Sequence, residues 1–266
     1  MSLNRNSNGY TIGFLVVMVL VVGVSLALVS SSLEGMITEN ERVDKKKQIL
    51  RSVAVEFAAS EDEEKDVLTK EFVQQQYDER ITEYAVNYEG KPVEEEKMIE
   101  KGKKLTAFDI NFKKEIRKPV EERRYPVYEY KGDEGNYYII PMFGLGLWDD
   151  IWGYIAVKND FNTIAGAAFD HKGETPGLGA RITEYWFREQ FVNQNIYDQE
   201  RYQLTVLKGE GNKGAIDSNP GGEYAVDGLA GATITADGVN NMLEKCINFY
   251  NPFFDLKETS EYEYAS

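Results

Sequence analysis

Two threonine hydroxyls lie within a stretch of small residues, Asp227-Gly228-Leu229-Ala230-Gly231-Ala232-Thr233-Ile234-Thr235. Small residues let a backbone come close to a ligand. Beyond the stretch, Val239, Met242, Leu243, Cys246, Ile247 and Tyr250 recur at helical spacing on one face. Thr235 suits the N-cap of that helix, and Asp237 suits its first turn. A glycine-rich turn running into a helix N-terminus offers a place for an anion, because first-turn N–H groups and the helix dipole point at it. The chemistry this offers is phosphate binding. A threonine hydroxyl would either donate a hydrogen bond to the phosphate or be esterified to it. The same residues also fit an ordinary tight turn capping a C-terminal helix.

Two further stretches carry similar signals. In His171-Lys172-Gly173-Glu174-Thr175-Pro176-Gly177-Leu178-Gly179, Pro followed by Gly is the signature of a type II turn. Gly177 and Gly179 would expose backbone N–H groups in a concavity. Gly144-Leu145-Gly146-Leu147-Trp148 reads as a close backbone approach with an aromatic beside it. Trp148 or Trp152 could stack on a planar ring, the alternative for either being the core. Lys213, in a Gly-rich loop, could neutralise a phosphate or simply be solvated. His171 is the single histidine, which excludes a multi-histidine metal site, argues against a Ser-His-Asp triad and leaves His171 without a catalytic role. Cys246 is the single cysteine, so this chain has no internal disulfide. Its place on the apolar helix face marks it as core.

The Asp227–Thr235 stretch resembles the flavinylation motif of proteins that carry FMN through a phosphoester on threonine, Asp-x-x-(Ser/Thr/Ala)-Gly-Ala-Thr with a further Thr two places on. The resemblance implies that Thr233 carries covalent FMN, with Thr235 the fallback and Asp227, Gly231 and Ala232 as motif residues. Ala230 occupies the position where the family usually has Ser or Thr. Glu174 to Gly179 matches, over six residues, a run found beside the flavin in FMN-binding domains of this family. It implies cofactor contacts from Glu174, Thr175, Gly177, Leu178 and Gly179. Gly146, Leu147 and Trp148 lie in a run resembling the family's Gly-x-Gly-(Leu/Met)-Trp, ahead of a Trp-Gly-Tyr strand.

In this order, and behind an apolar start, these motifs are similar to those of the C subunit of the sodium-translocating NADH:quinone oxidoreductase. The G subunit of the related ferredoxin:NAD reductase shares the flavin motif, but the long charged insertion between anchor and sheet favours the quinone reductase. The resemblance implies an electron-transfer protein whose covalent FMN relays single electrons between an iron–sulfur centre and the FMN of the B subunit. It also implies the B, D and E subunits as neighbours, maturation by a flavin transferase that takes FMN from FAD, and sodium movement elsewhere in the complex. A membrane-anchored ligand-binding or sensory domain with no redox role stays open.

These motifs need a frame to hold them. The 266 residues suffice for one large domain or two small ones, and the net charge of −15 argues against nucleic-acid partners. Ile12 to Val29 carries no charge and is nearly long enough to cross a bilayer. It reads as a retained transmembrane helix within 11–31, the alternative being a signal peptide. Residues 1–10 read as a tail, 32–104 as a helical and charged segment, 105–255 as the FMN-binding domain and 256–266 as a polar tail.

Helices are expected over Val43–Ala59, from Glu61 through Phe72 with a solvated acidic start, and over Glu184–Phe191. The segment 89–104 reads as a surface excursion. Strands are expected through Phe108, Ile110 and Phe112, in a hairpin of 127–130 with 137–140, and over 151–157, 163–169 and 202–207. The class is α+β, a mostly antiparallel sheet with packed helices. Arg42, Lys45, Lys46, Lys47 and Arg51 follow the apolar run, whereas Arg5 precedes it. A positive-inside count would therefore keep the domain in the cytoplasm. The resemblance implies the bacterial inner membrane with the domain on the periplasmic side, and that reading is followed.

Overall fold

Helix α1 (Asn8–Arg51) contains the charge-free run, whose apolar side chains are exposed all round. A helix apolar on every side suits lipid rather than water. At roughly 1.5 Å per residue, Ile12 to Val29 spans about 27 Å, close to the hydrocarbon thickness of a bilayer. Among the described residues α1 is the helix long and apolar enough to cross a membrane. The computed structural model describes residues 8–58, 60–100, 102–133, 135–218 and 220–265, with the backbone alone at Glu95 and 260–265. Most of the expected N-terminal tail, with Arg5, lies outside them. The chain divides into two compact units, one through Lys45 and one from Lys46.

The helix expected over 43–59 is the end of α1 followed by a 3-10 turn at Ala54–Glu56. The single helix expected across 61–72 is two, α2 (Glu61–Val67) and α3 (Lys70–Arg80). The break falls where Thr69 turns its hydroxyl to accept from the Phe72 N–H at 3.2 Å, beginning a new helix. The acidic start is not wholly solvated either. Glu64 is buried and bonds Arg188 at 2.9 Å and Arg51 at 3.0 Å.

The sheet is an antiparallel meander of β1 (Ile81–Val86), β2 (Tyr125–Lys131), β3 (Asn136–Leu145), β4 (Asp150–Val157) and β5 (Ile164–His171), in that spatial order. Tyr128 faces Ile139 across β2 and β3, and Ile140 faces Ile155 across β3 and β4. The hairpin and the two following strands match the sequence expectation. β1 was not among the expected strands. It lies ahead of position 105, within the unit that begins at Lys46. In the 89–104 excursion Met98 is buried with Ala85 and Ile110.

The strand expected through Phe108, Ile110 and Phe112 is absent. All three side chains are buried, but Phe108 and Ile110 lie on a turn and the link after it, and Phe112 opens α4 (Phe112–Glu115). The intervening polar residues act locally, Asp109 accepting from the Thr106 N–H and hydroxyl, and Asn111 capping α4. Such short side-chain bonds compete with a strand ladder. The strand expected over 202–207 is two fragments. One is Arg201–Tyr202, and the other is Thr205–Val206, which pairs in parallel with Ala225–Val226. The helix expected over 184–191 is α5 (Tyr185–Arg188) with a 3-10 turn through Phe191. α6 (Lys213–Ser218) is short, and α7 (Thr233–Ala265) runs through the segment expected as a polar tail.

Both faces of the sheet are buried. On one face, Val127, Tyr138, Ile140, Met142, Ile155 and Phe169 pack with Val239, Leu243, Ile247 and Tyr250 of α7. On the other, Tyr128, Ile139, Tyr154 and Ala156 meet Ile49, Leu50, Val73 and Tyr77. Successive strand residues thus feed two different cores, which is why β3 reads as a nearly continuous apolar run. Burying each such side chain contributes about 1.5–3 kcal/mol before entropy. α7 is drawn close to the end of β3, where a Cβ on Gly238 would lie 2.4 Å from the Leu145 carbonyl oxygen.

Candidate functional site

The N-terminus of α7 begins at Thr233, three residues earlier than a cap at Thr235 would require. Ala232 holds the cap position, its carbonyl accepting from the Ala236 N–H at 3.0 Å. Alanine has no side chain to cap with. No side chain among the described residues accepts from the Thr233, Ile234 or Thr235 N–H groups, so the turn keeps open donors and the positive end of the helix dipole. Gly231, at φ +69°, supplies the left-handed conformation that turns the chain into the helix.

The two threonines differ sharply. The Thr233 side chain is exposed. Thr235 is 1% exposed, and its hydroxyl donates to Glu174 Oε2 at 2.6 Å. Glu174 is itself buried, and its other oxygen accepts from the Trp148 N–H at 3.0 Å. Its own N–H donates to His171 Nδ1 at 3.2 Å, which makes His171 a turn-stabilising residue. Two glycines make room for this carboxylate. A Cβ on Gly146 would lie 2.5 Å from Glu174 Oε1, and one on Gly179 would lie 2.3 Å from Oε2 and 2.5 Å from Thr235 Oγ1. The turn expected at Pro176-Gly177 is present, with the Leu178 N–H donating to the Thr175 carbonyl at 3.1 Å and Gly177 at φ +75°. Thr175 and Gly177 are exposed on it.

Contacts therefore join three segments far apart in sequence: Gly146-Leu147-Trp148, Glu174 to Gly179, and Gly231 to Thr235. Their outer surface carries several large apolar side chains. Trp148 is 69% exposed, Ile234 57%, and Leu145, Leu147 and Leu178 are exposed too. Leu178 borders Gly231, where a Cβ would lie 3.1 Å from its Cδ2. Exposed large side chains gathered this way mark a contact surface rather than ordinary solvated exterior. Trp152 differs, being half-buried with its Nε1 donating to Gln48.

Asp227 and Lys213 sit differently. Asp227 is buried, and its carboxylate accepts from the N–H groups of Gly211, Asn212 and Gly228 and from Asn212 Nδ2. Burial opposes its ionisation, but these donors together hold it below the usual carboxylate range. It staples the 209–212 loop beneath the motif instead of facing outward. Lys213 is exposed at the start of α6, and no described hydrogen bond joins it to the Thr233 turn.

Three residues that sequence reasoning missed support the turn. Arg181 Nη1 bonds Glu210 Oε2 at 2.6 Å and stacks on Trp186, and Glu210 accepts from the Ala230 N–H at 3.4 Å. Arg181 holds the Glu210 carboxyl below its usual range. Gln190 Oε1 accepts from the Asp227 N–H at 2.9 Å. Arg181 sits only two residues past the Glu174–Gly179 run, the one sequence signal that could have found it.

Residues 146–248 match the FMN-binding domain family. The C subunit of Na(+)-translocating NADH-quinone reductase from Vibrio parahaemolyticus is 29% identical over 259 residues, covering 92% of each chain. Its Vibrio anguillarum counterpart is 37% identical over 114 residues, an alignment spanning only 42% of either protein. A crystal structure of the same reductase's C subunit from Parabacteroides distasonis superposes with TM-score 0.66 at 32% identity, covering 84% of this chain and 96% of that one. The Shewanella oneidensis NqrC structure shares the fold, with TM-score 0.61 at 21% identity over 81% of this chain and 99% of that one.

Proposed function

Because the chain belongs to the family formed by the C subunit of Na(+)-translocating NADH-quinone reductase, we propose that it is an electron carrier whose FMN is joined by a phosphoester to Thr233. The observation that carries this is the contrast between two hydroxyls two positions apart. Thr233 faces solvent at an uncapped helix N-terminus, whereas Thr235 is buried and already donates to Glu174. Only the first can be reached by a modifying enzyme.

The residues fit FMN in two parts. The first-turn N–H groups of α7 and the Gly231 turn would receive the phosphate. Leu147, Trp148, Leu178 and Ile234 would receive the ring on their apolar surface. Attachment draws on a flavin transferase, with magnesium. A P–O bond forms at Thr233 Oγ, the pyrophosphate P–O bond of FAD breaks, AMP departs with the electron pair, and the hydroxyl proton passes to a base on the transferase. Held there, FMN would supply one-electron redox chemistry between an iron–sulfur centre and the B subunit. Covalent attachment keeps the cofactor on a domain outside the cytoplasm, where lost FMN would not be replaced. The B, D and E subunits are the neighbours in this reading, and sodium crosses elsewhere in the complex.

The test is flavin fluorescence of the denatured band after co-expression with a flavin transferase, with exhaustive loading and peptide mapping. Wild type and Thr235→Val should carry the adduct on Thr233, and Thr233→Val should be dark. A dark wild-type band beside a fluorescent control protein would favour a membrane-anchored ligand-binding domain instead.

A further inference from the structure

We infer that Glu174 is the positioning residue of the attachment site, holding the first turn of α7 so that Thr233 stands where phosphoryl transfer can reach it. This rests on the reading of Thr233 as the esterified residue. Glu174 lies inside the protein, and each of its two oxygens already accepts a bond from a different segment, Trp148 N–H on one side and Thr235 Oγ–H on the other. The backbone around it is cut to its shape, since a side chain at Gly146 or Gly179 would collide with the carboxylate. Glu174 thus ties the Gly146–Trp148 segment, the Pro176-Gly177 turn and the helix N-terminus together. Thr235 is two residues from Thr233 on the same turn, so fixing Thr235 fixes the backbone from which the Thr233 side chain projects.

Charge alone makes the opposite prediction. A carboxylate behind the helix N-terminus competes with an incoming phosphate for the same positive end. If Glu174 acted only through its charge, removing it would speed attachment. If it acts by position, removing it slows attachment, because small misplacement of a reacting group costs rate steeply.

The experiment follows the time course of FMN attachment to the purified full chain in detergent, using a flavin transferase, FAD and magnesium. Glu174→Ala is expected to lower kcat for attachment at least about tenfold while the KM for the chain holds. Glu174→Gln keeps an acceptor and the side-chain length, so it should recover most of the rate. Thr235→Val should slow attachment as Glu174→Ala does and add little to it in the double variant. A role confined to folding would instead reduce the folded fraction, raising apparent KM at unchanged kcat. Wild-type or faster attachment in Glu174→Ala overturns the inference. If that variant does not fold, wild-type kcat in Thr235→Val overturns it equally. Failure of wild type itself to load, or loading of Thr233→Val, overturns the attachment reading rather than the role of Glu174.

Discussion

Thr233 and Thr235 carry the same functional group two positions apart, and nothing in their chemistry separates them. Burial separates them. One hydroxyl meets solvent, and the other is spent on Glu174. The motif was legible in the sequence, but the inward partner was not, because a bond between positions 174 and 235 depends on the fold. Asp227 is a second instance. Its motif position suggested the cofactor, whereas its carboxylate binds the backbone of the 209–212 loop. This makes a pH dependence predictable. The folded-state pKa of Asp227 lies below its unfolded value, so its contribution is complete above about pH 4 and is lost as pH falls through the depressed folded value. Amide hydrogen exchange at Gly211 and Asn212, corrected for intrinsic rates, should be protected at pH 6 and lose protection below about pH 4. In Asp227→Asn, protection should be weak at both values.

Strand pairing was the most legible part of the fold. β2 through β5 follow one another as hairpins, and their apolar runs end at turn residues. β1 is masked in the sequence because Ile81 to Val86 continues directly from α3, with the Ile81 N–H still bonded to the Tyr77 carbonyl. The acidic run at α2 hides its role for a comparable reason. Its partner Arg188 is 124 positions away, and the pair is buried. Arg188 also donates from Nε to the Thr183 carbonyl, so Glu64 fixes the helical segment just after the Glu174–Gly179 run. Removing one member of such a pair leaves the other charge buried and uncompensated, at a cost of about 3–5 kcal/mol. Glu64→Ala should therefore lower denaturant stability by about that much. The double change Glu64→Leu with Arg188→Met should cost markedly less. Equal losses in the two would mean that packing, not charge, holds α2.

The membrane side of the domain is where two readings of the whole chain compete. Counted by sequence, the cations after the apolar run outnumber Arg5 before it, which favours a cytoplasmic domain. The structure weakens that count. Lys46 bonds Asp78 and Arg51 bonds Glu64 within the folded unit, so these charges belong to the domain rather than to a short loop. Large domains cross membranes largely regardless of such charges. Charge thus leaves the side open, the periplasmic placement rests on the family reading, and Cys246 makes it testable. That thiol is fully buried, and burial pushes its pKa up to about 11, so it should be silent to thiol reagents in the native protein at neutral pH and react only after denaturation. A cysteine placed at exposed Glu96 then becomes the sole reporter. In intact cells with a permeabilised outer membrane, Glu96→Cys should be labelled by a membrane-impermeant maleimide, while wild type should stay unlabelled. Labelling of Glu96→Cys only after the inner membrane is broken would place the domain in the cytoplasm. The rationale for covalent attachment, retention of FMN where none is resupplied, would fall with it.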